Sequence, residues 1–330
     1  MKRTTIKDVA KAAGVSITTV SQVLSNKGSL KEETRSLVLR IANEMNYVPN
    51  WHGSSLKKKQ NNCIALFVGS ISGYYYELAE AIREESIHHG YELEILFSND
   101  SKQLSNKLLS NRLDGAIVLN DAFSDHEADE AEKAGVPMVY MDRLQVGKYS
   151  SSVVLNSCET GRMAAEYLYS LGHRHFMVIE GRNTYNARER FLGFQQYLSE
   201  HEVNLEDAYR LDGHFLRTQA YHAAKEFLLK NLPLPDAIFA VNDDSAFGCM
   251  KAFMEAGYSF PKDISIIGCD DIELCQWFIP PLTTINPNAR AQGTEAAKQL
   301  VSLISGSSGK PTKKINGTIV IRSSCRQNVE

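Results

Sequence analysis

The chain has 330 residues, 43% of them hydrophobic and 23% charged, with a formal net charge of −3. That length gives room for two or three domains and a sizeable core, and the composition is ordinary for a globular protein. No apolar run follows Met1 and no stretch is long enough to span a bilayer, so neither a signal peptide nor a membrane anchor is expected. The six cysteines (Cys63, Cys158, Cys249, Cys269, Cys275, Cys325) form no CxxC pair. That argues for free thiols in a cytoplasmic protein and against a zinc site or a disulfide frame.

The near-neutral total hides a segregation of charge. Residues 1–60 hold 11 Lys+Arg and four Asp+Glu, a balance of +7, and the rest of the chain carries −10. Within this basic head, Ile6, Val9, Ala10 and Ala13 make one face of a short helix. Gly14 supplies a tight turn, Ser16 can cap a second helix, and Val20, Val23 and Leu24 return to the core at helical spacing. Two short helices joined by a Gly-containing turn read as a helix-turn-helix, whose second helix enters a DNA major groove. A small three-helix packing module without a DNA role is the bland alternative. The concentration of positive charge in the head favours DNA.

Lys57–Asn62 is polar and charged and reads as a linker. Beyond it, short apolar runs alternate with helical stretches. The runs are Cys63–Val68, Leu93–Phe97, Ala116–Leu119, Met138–Met141 and Val153–Leu155, followed by Phe176–Ile179, Tyr209–Leu211, Ala237–Val241 and Ile264–Ile267. Helices are predicted near Tyr76–His89, Lys102–Arg112, Gly161–Ser170, Ala187–Glu200, Gln219–Leu229 and Ser245–Ala256. This alternation indicates parallel α/β sheets, and two consecutive series suggest two similar lobes. Chain crossings between lobes are expected near Leu155–Thr160, Thr284–Ala289 and Ile315–Ile319.

The head segments Thr5–Ala10, Ala13–Ser16, Thr19–Ser21 and Asn46–Asn50 resemble the bacterial lactose/galactose repressor (LacI/GalR) family. So do Val136–Arg143, Leu171–Arg174, Arg190–Phe194, Ala240–Asp243, Gly268–Asp271 and Pro281–Thr284, in the family's order and over essentially the whole chain. The resemblance implies an N-terminal all-α helix-turn-helix head plus an α/β two-lobed, periplasmic-binding-protein-like body with a ligand cleft between two parallel-sheet lobes. The expected division is a head at 1–49, a hinge helix and linker at 50–62, and a core at 63–330. Lobe one is then about 63–156 and 289–316, and lobe two about 157–285 and 317–330.

Residues at the start of a recognition helix point at base edges. Here these are Ile17, Thr18 and Gln22. Ile17 and the Thr18 methyl suit thymine methyl groups, and Gln22 suits the N6/N7 edge of adenine, a contact worth roughly 1–3 kcal/mol of discrimination. The family usually has Arg at the position of Gln22. Ser16, Thr19, Ser21 and Thr34 are placed to position the phosphate backbone, and Thr5, Asn26 and Asn50 complete the DNA-contact set. By resemblance, Pro49–Leu56 matches a hinge helix that folds on DNA, with Leu56 as a minor-groove wedge. Gly53 stands where the family usually has Ala, a change costing about 1 kcal/mol of helix propensity. Trp51, His52 and Ser54 also depart from the common pattern.

The resemblance places Asp142, Arg190, Asn242 and Asp270 in the effector cleft, at the carboxyl ends of strands. Such a set suits sugar hydroxyls, because carboxylates accept, Arg donates as a fork and Asn does both. Tyr75 and Tyr76 follow the first strand, where a ring can cover a pyranose face, and Phe215 and Trp277 are weaker candidates for the same work. Asp271 reads better as a brace of its turn, and His173 and Arg174 as structural. Asp142 and Arg143 could simply pair with each other.

The expected function is a sequence-specific DNA-binding transcription regulator, a repressor of carbohydrate-utilisation genes set by a sugar or sugar phosphate between the lobes. Its partners would be pseudo-palindromic operator DNA, that effector and a second copy of the chain. A homodimer is favoured over a tetramer, because no leucine-heptad tail closes the sequence. Control by a protein corepressor is the alternative within the same architecture. A transport-type sugar receptor is disfavoured by the basic head. An enzyme is not expected, since no phosphate loop, nucleophile elbow or metal-spaced cluster occurs, and neither a cofactor nor a metal is expected.

Overall fold

The computed structural model describes residues 4–24, 30–45, 47, 61–69, 73–98, 100–109, 113–119, 122–181 and 184–328. They fall into two compact units, 1–61 and 62–330.

The first unit holds three helices, α1 (Ile6–Ala13), α2 (Ile17–Leu24) and α3 (Glu32–Glu44). Thr5 and Asp8 form a capping box at the start of α1: the Asp8 amide donates to Thr5 Oγ1, and Asp8 Oδ2 accepts from the Thr5 amide at 2.8 Å. Gly14 ends α1 at φ +64°, a left-handed conformation that favours glycine. Ser16 Oγ accepts from the Thr19 amide at 3.0 Å, which is the cap expected at the start of α2. Val9, Ala10, Ala13, Val20, Val23, Val38 and Ala42 form one small core shared by all three helices.

The second unit is built on two parallel sheets. The first uses β1 (Cys63–Val68), β2 (Glu92–Phe97), β3 (Gly115–Leu119), β4 (Met138–Met141), β5 (Ser150–Leu155) and β11 (Lys313–Ile315), in the order β11-β5-β4-β3-β1-β2. The second uses β6 (Phe176–Glu180), β7 (Arg210–Asp212), β8 (Ala237–Ala240) and β9 (Ser265–Ile267), in the order β7-β6-β8-β9. A short antiparallel pair, β10 (Thr284–Asn286) and β12 (Thr318–Val320), adjoins the second sheet. Strand alternation feeds both faces of each sheet. Ile64, Leu66 and Val68 enter one core, while Ala65 and Phe67 enter the one behind it. In the second sheet Met177 and Ile179 are likewise opposed to Phe176 and Val178. Strands buried on both faces are what a sheet covered by helices on each side requires.

Helices α4 (Gly73–His88) and α12 (Ala289–Ile304) pack on one face of the first sheet, and α5 (Ser101–Lys107) and α6 (Asp125–Lys133) lie towards the other. The second sheet is covered by the pair α7 (Ser157–Ser170) and α8 (Tyr185–Glu200) on one face, and by α9 (Arg217–Leu229) and α10 (Asp243–Glu255) on the other. The short α11 (Leu274–Trp277) follows β9. The chain passes between the sheets three times, at β5 to α7, β10 to α12 and β11 to β12. The first and third passages are joined where the Asn156 amide donates to Ile315 O at 2.7 Å and Asn156 Nδ2 to Asn316 Oδ1 at 2.9 Å.

Helices α6 and α12 and the three-residue strands β10 to β12 lie outside the elements expected from periodicity. The buried face of α6 is only Ala128 and Ala131, and that of α12 begins with Ala289, Gly293, Ala296 and Ala297. Small residues give a weak apolar period, and a three-residue strand gives no period at all. No described helix is long and apolar enough to cross a membrane.

Candidate functional site

In the head, packing decides which residues remain available. Val20 and Val23 are buried, so α2 turns Ile17, Thr18, Ser21 and Gln22 outward together, with Ile17 45% exposed. An exposed aliphatic side chain beside hydroxyl and amide groups matches the chemistry of base edges in a major groove. Ser16 is exposed but committed to its cap, and its hydroxyl also lies 2.9 Å from that of Thr19. Thr5 is exposed at the start of α1, and Thr34 is half-buried on α3. Asn26, Asn50 and Leu56 lie outside the described residues, as do Trp51, His52, Gly53 and Ser54.

The second constellation gathers where strands of both sheets end. Asp142 follows β4, at φ +61°. Asn186 and Arg190 stand one turn apart on α8, after β6, while Asn242 follows β8 and Asp270 follows β9 at φ +127°. Asn186 bridges the two lobes: its Nδ2 donates to Asp142 Oδ1 at 2.5 Å, and its Oδ1 accepts from Ser157 Oγ at 2.9 Å. Arg190 is only 5% exposed. Its Nη1 donates to Val241 O at 2.5 Å and lies 3.7 Å from Asp270 Oδ1, while its buried Nε has no hydrogen-bond partner among the described residues. Ser245 Oγ and His173 Nδ1 are further buried polar atoms in that state.

The electrostatics tie these groups together. Burial pushes the Asp270 carboxyl well above the usual carboxylate range; Arg190 opposes the rise, and the charges of Asp243, Asp244 and Asp142 add to it. Burial works against the charge on Arg190, but Cys269, Asp270, Tyr74 and Asp142 around it hold it protonated above its ordinary value. Tyr74, in the first turn of α4, is also pushed well up, first by burial and then by Asp142, Tyr75 and Asp270. Tyr74 therefore shares the field of this set. Tyr75 is half-buried, its ring 5.1 Å from that of Tyr74. Tyr76 is 70% exposed.

The remaining expectations sort as follows. Asn242 is 7% exposed and caps α10 by accepting from the Ser245 amide at 3.1 Å, while its Nδ2 donates to Phe215 O at 3.3 Å. Its amide therefore shapes the wall as much as it can contact a ligand. Asp271 accepts from Arg322 Nη2 at 2.6 Å and Asn286 Nδ2 at 2.9 Å, a brace between turn and strand. His173 is buried against Arg326 O at 3.0 Å, and Arg174 stacks on Tyr169. Arg143 bonds Asp125 and Phe123 O rather than pairing with Asp142. Trp277 is 70% exposed. Tyr74 and Asn186 were not singled out from sequence; the spacing of Asn186, four residues before Arg190 on one helix, is the signal that could have found it.

A separate cavity of about 470 Å³ lies on lobe two, lined by Glu180, Arg188, Phe191, Arg210 and Asp212 among others. There Arg210 is taken up by Glu180 at 2.7 Å and Asp207 at 3.1 Å, and lies over the Phe191 ring. That cation is committed within the fold. Among the described residues no group of three or more His, Cys, Asp or Glu is gathered to hold a metal.

Both the head and the body of the chain match known proteins. Residues 5–50 match "Bacterial regulatory proteins, lacI family", and residues 165–325 match "Periplasmic binding protein-like domain". The "HTH-type transcriptional repressor PurR" of Mannheimia succiniciproducens is 33% identical over 98% of this chain and 99% of its own length. The "HTH-type transcriptional regulator DegA" of Bacillus subtilis is 33% identical over 97% of this chain and 95% of its own. Among solved structures, the lac repressor dimer bound to operator and the anti-inducer ONPF superposes with a TM-score of 0.86 at 26% identity, covering 98% of this chain and 100% of that one. The transcriptional regulator CelR in complex with cellobiose gives 0.74 at 25% identity, with the same coverage. These relatives are transcription regulators, not enzymes. Matched in its head and along nearly its whole length, the chain belongs to the lacI family of bacterial regulatory proteins.

Proposed function

We propose that this DNA-binding regulator represses carbohydrate-utilisation genes, and that a small polyhydroxylated effector between its lobes sets its operator affinity. The observation that carries the reading is Arg190. It is buried, retains an unsatisfied Nε–H, and stands with Asp142 of one lobe and Asp270 of the other. A fork of donors flanked by carboxyl groups supports the alternating donors and acceptors of sugar hydroxyls. Solved neighbours carry cellobiose and ribose, in agreement with that chemistry. An effector that bridges Asp142 and Arg190 would favour one lobe arrangement over another, and only such differential affinity can shift operator binding. We also propose a homodimer, as in the lac repressor dimer, whose two heads read two half-sites with Ile17, Thr18 and Gln22 at base edges.

The test has two arms with the purified full-length chain. Selection of bound duplexes from a random pool should enrich a near-palindrome with adenine opposite Gln22. A panel of cellobiose, ribose, glucose and their phosphates, with guanine as a flat-heterocycle control, should then change affinity for that duplex only with a hydroxyl-rich member. A response to guanine alone would overturn the sugar reading, and no enriched sequence would overturn direct operator recognition.

A further inference from the structure

A buried carboxylate outside the expected effector set grips the turn that presents Asp270. Asp243, the first residue of α10, is fully buried. Its Oδ1 accepts from Thr284 Oγ1 at 2.6 Å, and its Oδ2 accepts from the Ile272 amide at 3.1 Å and from Cys275 Sγ at 3.0 Å. Its own amide donates to Cys269 O at 2.8 Å. Backbone and side chain together thus clasp the segment from Cys269 to Cys275. Gly268 runs directly beneath the carboxylate: a Cβ built there would lie 2.2 Å from Asp243 Oδ1.

The clasped turn is strained. Asp270 has φ +127° and Asp271 φ +52°, conformations that L-residues with side chains adopt only when their surroundings impose them. Two contacts depend on that shape. Asp270 Oδ1 lies 3.7 Å from Arg190 Nη1, and Ile272 reaches the start of α4 in the other lobe, where a Cβ on Gly73 would lie 3.3 Å from Ile272 Cγ2. Thr284, the third partner, opens β10, the strand that leads into the crossing to α12.

We propose that Asp243 is a positioning residue for the effector site. It holds the 268–275 turn so that Asp270 faces Arg190 and Ile272 closes on lobe one, and it fastens that turn to the crossing strand. The inference rests on the reading of the cleft as the effector site. A residue that merely filled the core would loosen all of lobe two when changed, whereas a positioning residue loosens its turn.

Amide hydrogen exchange of the full-length protein, with no compound added, separates the two. Asp243→Asn keeps the shape but turns one acceptor into a donor. It should speed exchange at Ile272 and across 269–275 and 284–286 by about tenfold or more, with the β6 and β8 amides unchanged. Asp244→Asn, one residue along and paired with Arg217, should leave the turn as it was. Thr284→Val should loosen the same segments, and Thr284→Ser should restore them. Those substitutions keep the test open should Asp243→Asn fail to fold. Exchange that is unaltered, that rises evenly through lobe two, or that responds equally to Asp244→Asn overturns the proposal. Adding cellobiose or ribose tests the underlying reading separately. If neither slows wild-type exchange at Ile272 while the variant contrast holds, the choice of effector fails and the role of Asp243 stands.

Discussion

Arg190 shows how one side chain can be structurally anchored and still functionally incomplete. The bond from Nη1 to Val241 O fixes its reach and Asp270 lies beside it at 3.7 Å, while Nε has no partner among the described residues. Arg190→Ala should abolish the effect of any active effector on operator binding while leaving affinity for operator without effector within about twofold; an unchanged response in a binding titration would remove Arg190 from the site. Arg190→Lys should fail as well, since the one nitrogen of lysine cannot place donors at the separated positions that the planar guanidinium fork covers. Asp243 carries a pH signature with a definite sign. Burial raises its carboxyl from the ordinary value of 3.8 to about 6, against the hydrogen bonds from Thr284, Cys275 and Ile272. The pH-dependent part of its contribution is therefore fully present below about pH 4 and is lost as pH rises through about 6. Asp243→Asn should flatten that part of the fall in Tm between pH 4 and 7, and an identical slope in both proteins would assign the fall to other groups. The polar residues in this region differed in how visible they were in the sequence. Arg190 and Asp270 were reached through the family resemblance of the segments around them. Tyr74 sat among three consecutive tyrosines, where only the phase of α4 decides which rings turn inward, and that phase is set by packing on the sheet.

Elements were legible wherever burial imposed a period. β1, β3, β4 and β6 are apolar runs because each is buried on both faces, and α8 and α10 show their long apolar stripes. What the pattern could not express is how closely elements approach. Helices α7 and α8 lie nearly in backbone contact: a Cβ on Gly161 would meet Arg190 O at 1.8 Å, and one on Gly193 would meet Cys158 O at 1.8 Å. This pairing seats Arg190, so a glycine on a different helix helps set the depth of the cleft. Gly161→Ala should force the helices apart, at a cost of about 1–3 kcal/mol for overpacking, and should weaken effector response as well as lower Tm. A Tm loss with the effector response fully retained would show that Arg190 keeps its place when α7 moves. Gly14→Ala, by contrast, meets open space but must hold φ +64°. Its penalty of about 1 kcal/mol should appear as weaker operator binding with no change in the body.

Across the whole molecule, the separation of a +7 head from a −10 remainder means that affinity for DNA should be carried by the head and should scale with the number of heads engaged. Each phosphate neutralised releases condensed counterion, so the slope of log affinity against log salt counts contacts. A dimer on a palindrome should show about twice the slope of one head on a half-site. Exposed apolar groups on lobe two offer a way to separate the two cases: Ile279 is 81% exposed and Trp277, two residues before it, 70%. The double substitution Trp277→Asp with Ile279→Asp places two charges on that patch without touching either lobe's core or the Arg190 set. Sedimentation should then show a monomer, the salt slope should fall by about half, and affinity for the palindrome should drop to that for a single half-site. A dimer that survives would place the interface elsewhere on the body. A monomer that keeps the full slope would mean that one head with its linker makes all the phosphate contacts, and the two-headed reading of a near-palindromic operator would fall.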